Sequence, residues 1–161
     1  MNLGKEDDKQ EFKLGLAQLD KGLKSLAAML NRGGRGTVYF GVDDDGTVRG
    51  LNVGKRTLLD IRARAAELIE PRVICTIEEL HDEDGRAFIR VQAEGCDIPY
   101  ACDGRYYIRT VSADEQIGSA QLRKMLIGGR YRPALADQRG RSGADVCRPR
   151  RDLAGEGRSC L

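Results

Sequence analysis

The stretch Asn31-Arg32-Gly33-Gly34-Arg35-Gly36 combines three glycines with two arginines, residue types that let a backbone approach a phosphate closely and neutralise it. A nucleotide triphosphate is not the expected ligand. No Lys-Ser/Thr pair follows the glycines, so this is no Walker A loop, nor does the spacing fit G-x-G-x-x-G. The element order is also reversed. A phosphate loop precedes a helix and uses its positive end, whereas here a helical pattern runs into the glycines and presents the negative end. ATP binding is therefore not expected, and a plain helix stop before a strand is the competing reading of these glycines. Further cations stand at Lys55 and Arg56, before a second helical pattern, and at Arg105 and Arg109, near a hairpin signal. Tyr39, Tyr106 and Tyr107 supply rings on which bases can stack.

The remaining chemistry-bearing residues point to less. His81 is the only histidine and falls in a stretch with Asp82, Glu83 and Asp84, without an evident partner for general-base work. Five cysteines, at 75, 96, 102, 147 and 160, form no C-x-x-C pair, which fits reduced thiols in a cytoplasmic protein better than zinc. Cys75, next to Ile74 and near Ile77, reads as a small apolar group.

These groups must be placed by a small set of elements. Glu11-Phe12-Lys13 reads as a short strand with Phe12 inward and its charged neighbours on the other face. Leu16, Leu19, Leu23, Leu26 and Leu30 form one apolar helical face ending near Asn31. Thr37 to Val42 is uncharged and β-branched or aromatic, a buried strand, and Asp45-Gly46 predicts a two-residue turn that returns Thr47 to Leu51 alongside it. A second helix is expected from Thr57 to Glu70, its inner face Leu58, Ile61, Ala65 and Leu68, with Pro71 at its end. Strands follow at 73–80 and 87–93, then at 100–102 and 105–110 across Asp103-Gly104, and Ser119 caps a last short helix. The prediction is an α+β domain: a mainly antiparallel or mixed sheet of about six strands, with about three helices covering one face.

The chain has 161 residues and a formal net charge of +2, but the charge is uneven. Residues 127–161 carry eight arginines against four acids, so the preceding body is slightly acidic and can bind a polyanion only through a local patch. Apolar periodicity ends at Gly129, and 130–161, rich in Gly, Arg and Pro, is expected to be a disordered tail to a domain spanning 1–129. No apolar run approaches the ~20 residues that span a membrane, and the N-terminus lacks the apolar core of a signal peptide.

The run Glu-Phe-Lys, a helix ending Ala-Met-Leu-Asn, and Gly36-Thr-Val-Tyr-Phe-Gly-Val-Asp-Asp-Asp-Gly-Thr-Val-Arg-Gly50 resembles the Schlafen-type AlbA-like domain, a family also described as a divergent AAA-type ATP-binding domain. The likeness continues through Asn52-Val53-Gly54-Lys55, Ile69-Glu70-Pro71, Ile98-Pro99-Tyr100 and Gly104-Arg105-Tyr106-Tyr107-Ile108-Arg109, and closes at 121–126. The glycine loop is one residue longer than the family's common form, with Arg35 inserted before Gly36, and the helical linker and winged helix that usually follow are not present in this sequence. The resemblance implies a DNA-binding module of a bacterial transcriptional regulator, with Arg32, Gly33, Gly34, Arg35, Lys55, Arg56, Arg105 and Arg109 converging as a phosphate-binding edge. Scattered surface charge is the alternative.

In animal relatives of the family three acidic residues cleave RNA, and they match Glu6, Glu11 and Asp44 here. Such a trio would hold Mg²⁺ or Mn²⁺ and polarise a phosphodiester. Five residues apart on one strand, however, Glu6 and Glu11 point to opposite faces unless the chain turns near Asp7-Asp8. The bland alternative is a solvated terminal acid and a hairpin residue. The leading expectation is thus a non-catalytic, cytoplasmic nucleic-acid-binding module with no required cofactor. A Mg/Mn-dependent endoribonuclease and an interaction domain of a truncated regulator are the alternatives, and homo-oligomers are compatible with each.

Overall fold

A computed structural model describes residues 1–111 and 113–128. In chain order it contains β1 (Gln10–Lys13), a 3-10 turn (Leu16–Gln18), α1 (Leu19–Gly33), β2 (Arg35–Phe40), α2 (Thr57–Leu68), β3 (Ile69–Glu70), β4 (Cys75–His81), β5 (Ala87–Glu94), β6 (Ala101–Cys102), β7 (Arg105–Arg109), β8 (Asp114–Gln116) and α3 (Ser119–Gly128). The fold is α+β, as the patterning predicts. Its described strands form two four-stranded sheets, β1-β2-β5-β4 and β3-β6-β7-β8. The expected tail, 130–161, lies outside the described residues.

Helix α1 is the element around which both sheets assemble. It touches β1 and β2 of the first sheet and β6, β7 and β8 of the second. The leucine spacing accounts for only one of its faces, yet Gly22, Leu23 and every residue from Ser25 to Asn31 are buried. The other face is made of small and polar groups, Ser25, Ala28 and Asn31, which let the second sheet approach closely. Asn31 is fully buried and its amide is saturated: Nδ2 donates to the Tyr100 and Tyr107 carbonyls at 2.7 and 2.8 Å, and Oδ1 accepts from the Tyr100 N–H at 2.6 Å. Such an amide is stabilising only because every partner is present. The expectation that the helices cover one face of a single sheet is corrected accordingly, since α1 lies between two.

On the first sheet, β1 and β2 are parallel, with Gln10 opposite Thr37 and Lys13 opposite Phe40, and α1 is their crossover. β5 takes the other side of β2, antiparallel. With both sides of β2 occupied, Thr47 to Leu51 cannot return alongside it as a strand. The chain instead turns over Asp43–Gly46, where the Gly46 N–H donates to the Asp43 carbonyl at 2.8 Å and Gly46 takes φ +82°, and makes one bridge, Val42 to Val48. Asp103-Gly104 does form the two-residue turn that its sequence predicts, both residues at positive φ, between β6 and β7.

Helix α2 buries Ile61, Ala65 and Leu68, as its spacing predicts, but stops two residues before the expected Glu70. Ile69 and Glu70 are extended and pair with Cys102 and Ala101, consistent with the bias of a residue preceding proline away from helix. The main core joins Leu23, Leu26, Val38, Phe40, Ile89 and Val91. Phe12 points to the opposite face of the first sheet, into a smaller cluster with Val42, Val48 and Phe88.

The glycines between α1 and β2 are not a flexible loop. Gly33 ends the helix, and Gly34, at φ +73°, caps it by donating its N–H to the Leu30 carbonyl at 2.8 Å. Arg35 and Gly36 already belong to β2. A Cβ on Gly36 would stand 2.7 Å from Met29 Cβ, so glycine is required for the strand to lie this close to the helix. Gly36→Ala is expected to lower stability by about 1–3 kcal/mol through overpacking, outweighing the usual gain from replacing a strand glycine. Urea denaturation checks this, and an unchanged midpoint would mean that Met29 yields freely.

Candidate nucleic-acid interface

Asp7 forms the turn that Glu6 needs in order to reach β1. Its Oδ1 accepts from the backbone N–H groups of Lys9 at 2.7 Å and Gln10 at 2.8 Å. The chain folds back, and Glu6 Oε1 accepts from the Phe12 N–H at 2.8 Å, so Glu6 lies along β1 beside Glu11. Glu11 is only 8% exposed, and its two oxygens are occupied by Lys13 Nζ and the Arg109 guanidinium. Asp44 stands in the exposed turn after β2, its N–H donating to Asp43 Oδ1 at 3.0 Å. Among the described residues no three His, Cys, Asp or Glu side chains are grouped to hold a metal ion. Glu6, Glu11 and Asp44 as arranged therefore do not fit Mg²⁺ or Mn²⁺.

Glu11 belongs instead to a buried ionic link between the two sheets. Arg109, on β7 and 4% exposed, contacts Glu11 of β1 through Nη2 and Asp114 of β8 through Nη1 at 2.9 Å. The second Asp114 oxygen accepts from Ser25 Oγ of α1 at 2.5 Å. Burial by itself disfavours the charge on Arg109, but its hydrogen bond to Asp114 and the field of Glu11 outweigh that, and the group is held above its ordinary range. The guanidinium is thus built into the interior, and its contacts there leave it no path to a phosphate.

The other cations predicted from the sequence take three different settings. Arg32, half-buried, donates from Nη1 to the Arg109 carbonyl at 3.1 Å and stands 3.5 Å from Asp8 Oδ2. Arg35 is exposed on β2 opposite Glu94. Lys55 and Arg56 are exposed just before α2, on a chain that leaves the far end of β2, where the Leu51 N–H donates to the Ala87 carbonyl at 2.7 Å. Arg105 is exposed beside the β6–β7 turn. Arg35, Lys55, Arg56 and Arg105 form no ion pair among the described residues, so their charge faces solvent. Arg35 opens β2, whereas the Lys55-Arg56 pair follows the chain that leaves its other end. Of the tyrosines, Tyr39 packs between Phe12 and Phe88, while Lys24 lies over the Tyr107 ring at 5.3 Å.

The thiols described are poor nucleophiles where they are buried. Burial, with Asp103 and Asp20 nearby, pushes the Cys102 thiol up to about 11, and burial also raises Cys75. His81 is the last residue of β4 rather than part of a turn, 3.4 Å from Glu79.

The sequence pattern of the family described as Schlafen, AlbA_2 matches residues 6–118, more than half of the chain. The chain belongs to that family. No curated protein matches it. The AlbA_2 match spans both sheets and α1, and ends just before α3. Ser25, Asn31 and Asp114 are the AlbA_2 domain residues that sequence reasoning overlooked. A polar residue closing the run Ala27-Ala-Met-Leu-Asn31 is the one signal that marks a buried amide, and nothing in Asp114-Glu-Gln announces a strand.

Removing the Arg109 charge leaves Glu11 with Lys13 alone and Asp114 with only the Ser25 hydroxyl. Arg109→Met is expected to cost about 3–5 kcal/mol, and Arg109→Met with Glu11→Gln less than the sum of the two single changes. Chemical denaturation of the four proteins measures the coupling. A loss below about 1 kcal/mol would mean that water reaches the pair.

Proposed function

We propose that this chain is the nucleic-acid-binding module of a bacterial transcriptional-regulator-like protein, acting on DNA in the cytoplasm without a cofactor. Membership of the Schlafen AlbA_2 family supports a nucleic-acid-binding or related domain. The observation that carries the reading further is that four of the cations predicted from the sequence, Arg35, Lys55, Arg56 and Arg105, are exposed with no ion pair among the described residues, Arg35 next to half-buried Arg32 and the Gly33-Gly34 cap. Phosphates are their natural partners. No described helix is long and apolar enough to cross a membrane.

Cations at separate places on the surface suit a polyanion that spans them, and they give weak, sequence-indifferent binding. About two to five phosphates would be neutralised, with a slope of log K against log salt near −2 to −4.5 for duplex DNA. The arginines of residues 127–161 contribute to any absolute slope, so the informative quantity is a difference. In the full chain, Arg35→Ala with Arg105→Ala, and Lys55→Ala with Arg56→Ala, should each flatten the slope by about 0.9 for every phosphate left without its cation. Slopes unchanged in both variants would mean that none of these four cations meets a phosphate.

The Asp7 turn that carries Glu6 to β1 favours, as a second reading, a Mg/Mn-dependent endoribonuclease. That reading requires Glu11 to leave Arg109 and Lys13, and Asp44 to move. Structured RNA incubated with Mn²⁺ in the same experiments is expected to remain intact. Discrete products that disappear in Glu11→Gln and Asp44→Asn would reverse the order of the two readings.

A further inference from the structure

Strand β4 lies at the edge of the first sheet, and among the described residues it pairs with β5 alone. Its outward N–H and C=O groups are a template for another strand. An open groove of about 660 Å³ runs between this edge and α2. Residues 72–77 form one wall, and α2 supplies the other through Leu59, Arg62, Ala63, Ala65 and Ala66. A wall of six successive residues fits a ligand that is itself extended, about 20 Å long.

The lining is amphipathic. Leu59, Arg62, Ala63 and Ala66 recur at spacings of three and four, a stripe of α2 beside the one that Ile61, Ala65 and Leu68 turn to the core. Leu59 is 62% and Ile74 88% exposed, so large apolar surface is open on both walls. Arg62 and Arg72 are the only charged residues of the lining, and both are exposed without an ion pair among the described residues. Burial raises the Cys75 thiol and the Arg62 charge works against that, so Arg62 is felt across the groove at β4. Arg72 lies by Ala66 and also borders the neighbouring hollow, where Glu70 makes no ion pair with it. Asp60, two residues from Arg62, faces another side of the helix. Acids farther along the edge are engaged: Glu78 with Arg90, and Asp82 and Asp84 with Arg86. Within the groove the uncompensated charge is positive.

These features select the occupant. A phosphate backbone would meet the arginines but lay its charge over Leu59 and Ile74, which return nothing for the water it loses. A purely apolar segment would cover both guanidiniums without giving them a partner. A second copy of β4 would bring carboxylates that already have their own arginines. A carboxylate-bearing strand with apolar neighbours satisfies both the edge and the lining.

We infer that the groove binds an extended peptide in which apolar and acidic residues take turns, added as a fifth strand to the first sheet outside β4. Every second side chain of such a strand turns toward α2. Along the helix these side chains meet Leu59, then Arg62 with Ala63, then Ala66, and beyond it Arg72. The complementary face of the peptide therefore reads apolar, acid, apolar, acid at every second residue. Backbone pairing supplies affinity, and the alternate side chains supply selectivity. The inference does not rest on the proposed function, since Arg35, Lys55, Arg56 and Arg105 do not line the groove.

Amide-resolved NMR of the full chain tests it, with the capped heptapeptide Leu-Thr-Glu-Ser-Val-Thr-Glu and the same residues in reverse order, which covers both strand directions. One of the two is expected to shift the amides of 72–77 and of the outer α2 stripe, with a dissociation constant below about 1 mM. Replacing its glutamates by lysine, or its apolar residues by serine, should weaken binding about tenfold or more. Arg62→Glu with Arg72→Glu should reverse the preference, losing the glutamate peptide and gaining the lysine one. Both arginines are exposed, so circular dichroism of that variant should be unchanged. Silence of the 72–77 amides with both peptides, equal binding of glutamate and lysine forms, or a preference that does not reverse overturns the inference. So do 72–77 amides that respond to duplex DNA instead, which would give the groove to nucleic acid, or to protein concentration alone, which would give it to a second copy.

Discussion

The buried guanidinium of Arg109 sets the terms on which the two sheets can meet. It comes from β7 of one sheet and must be neutralised out of water, which Glu11 of the other sheet and Asp114 of β8 do together. A charge this deeply placed is tolerable only with its partners in position, so the ion set acts as a register pin: β1, β7 and β8 must all be docked before the arrangement is favourable. α1 occupies the space between, and its two faces follow from that constraint. One face offers leucines to β2, the other offers Ser25 to Asp114 and Asn31 to the backbone of β6 and β7. The tight Gly34 cap and the absence of a Cβ at Gly36 then fix how β2 leaves the helix.

The same constraint redistributes the chemistry. Glu11 and Arg109 each look functional as isolated residues, one an acid for a metal, the other a cation for a phosphate. Folded, they satisfy each other. Of the cations predicted from the sequence to meet a ligand, Arg35, Lys55, Arg56 and Arg105 are the ones that form no ion pair among the described residues. Family membership supports nucleic acid as their partner at the level of the domain, and the proposed DNA target and regulator role build on it.

Much of this was legible in the amino-acid pattern, and the exceptions have physical reasons. The uncharged run 37–42, the leucine face of α1, the inner face of α2 and the Asp103-Gly104 turn are local signals, and the folded chain uses each of them. The parallel pairing of β1 with β2 is a long-range choice made through the α1 crossover, which neither strand encodes alone. β3 and β8 are too short to show a period. The Asp45-Gly46 turn is a sound local signal overridden by competition, because β5 takes the side of β2 where its return strand would lie. The glycines at 33–36 look flexible by composition, yet two of them are inside regular elements and one is a helix cap. Burial of Arg109 could not be read from Arg-Tyr-Tyr-Ile-Arg109, since Arg105 and Arg109 share a face of the strand and only the elements packed there decide which is covered.

The most direct measurement of where nucleic acid meets this fold is an amide-resolved NMR titration of the isotopically labelled full chain with short duplex DNA at low salt. Binding through the described surface predicts shifts at the amides around Arg35, Lys55, Arg56 and Arg105. Shifts confined to residues 129–161, with the 1–128 amides unperturbed, would contradict it.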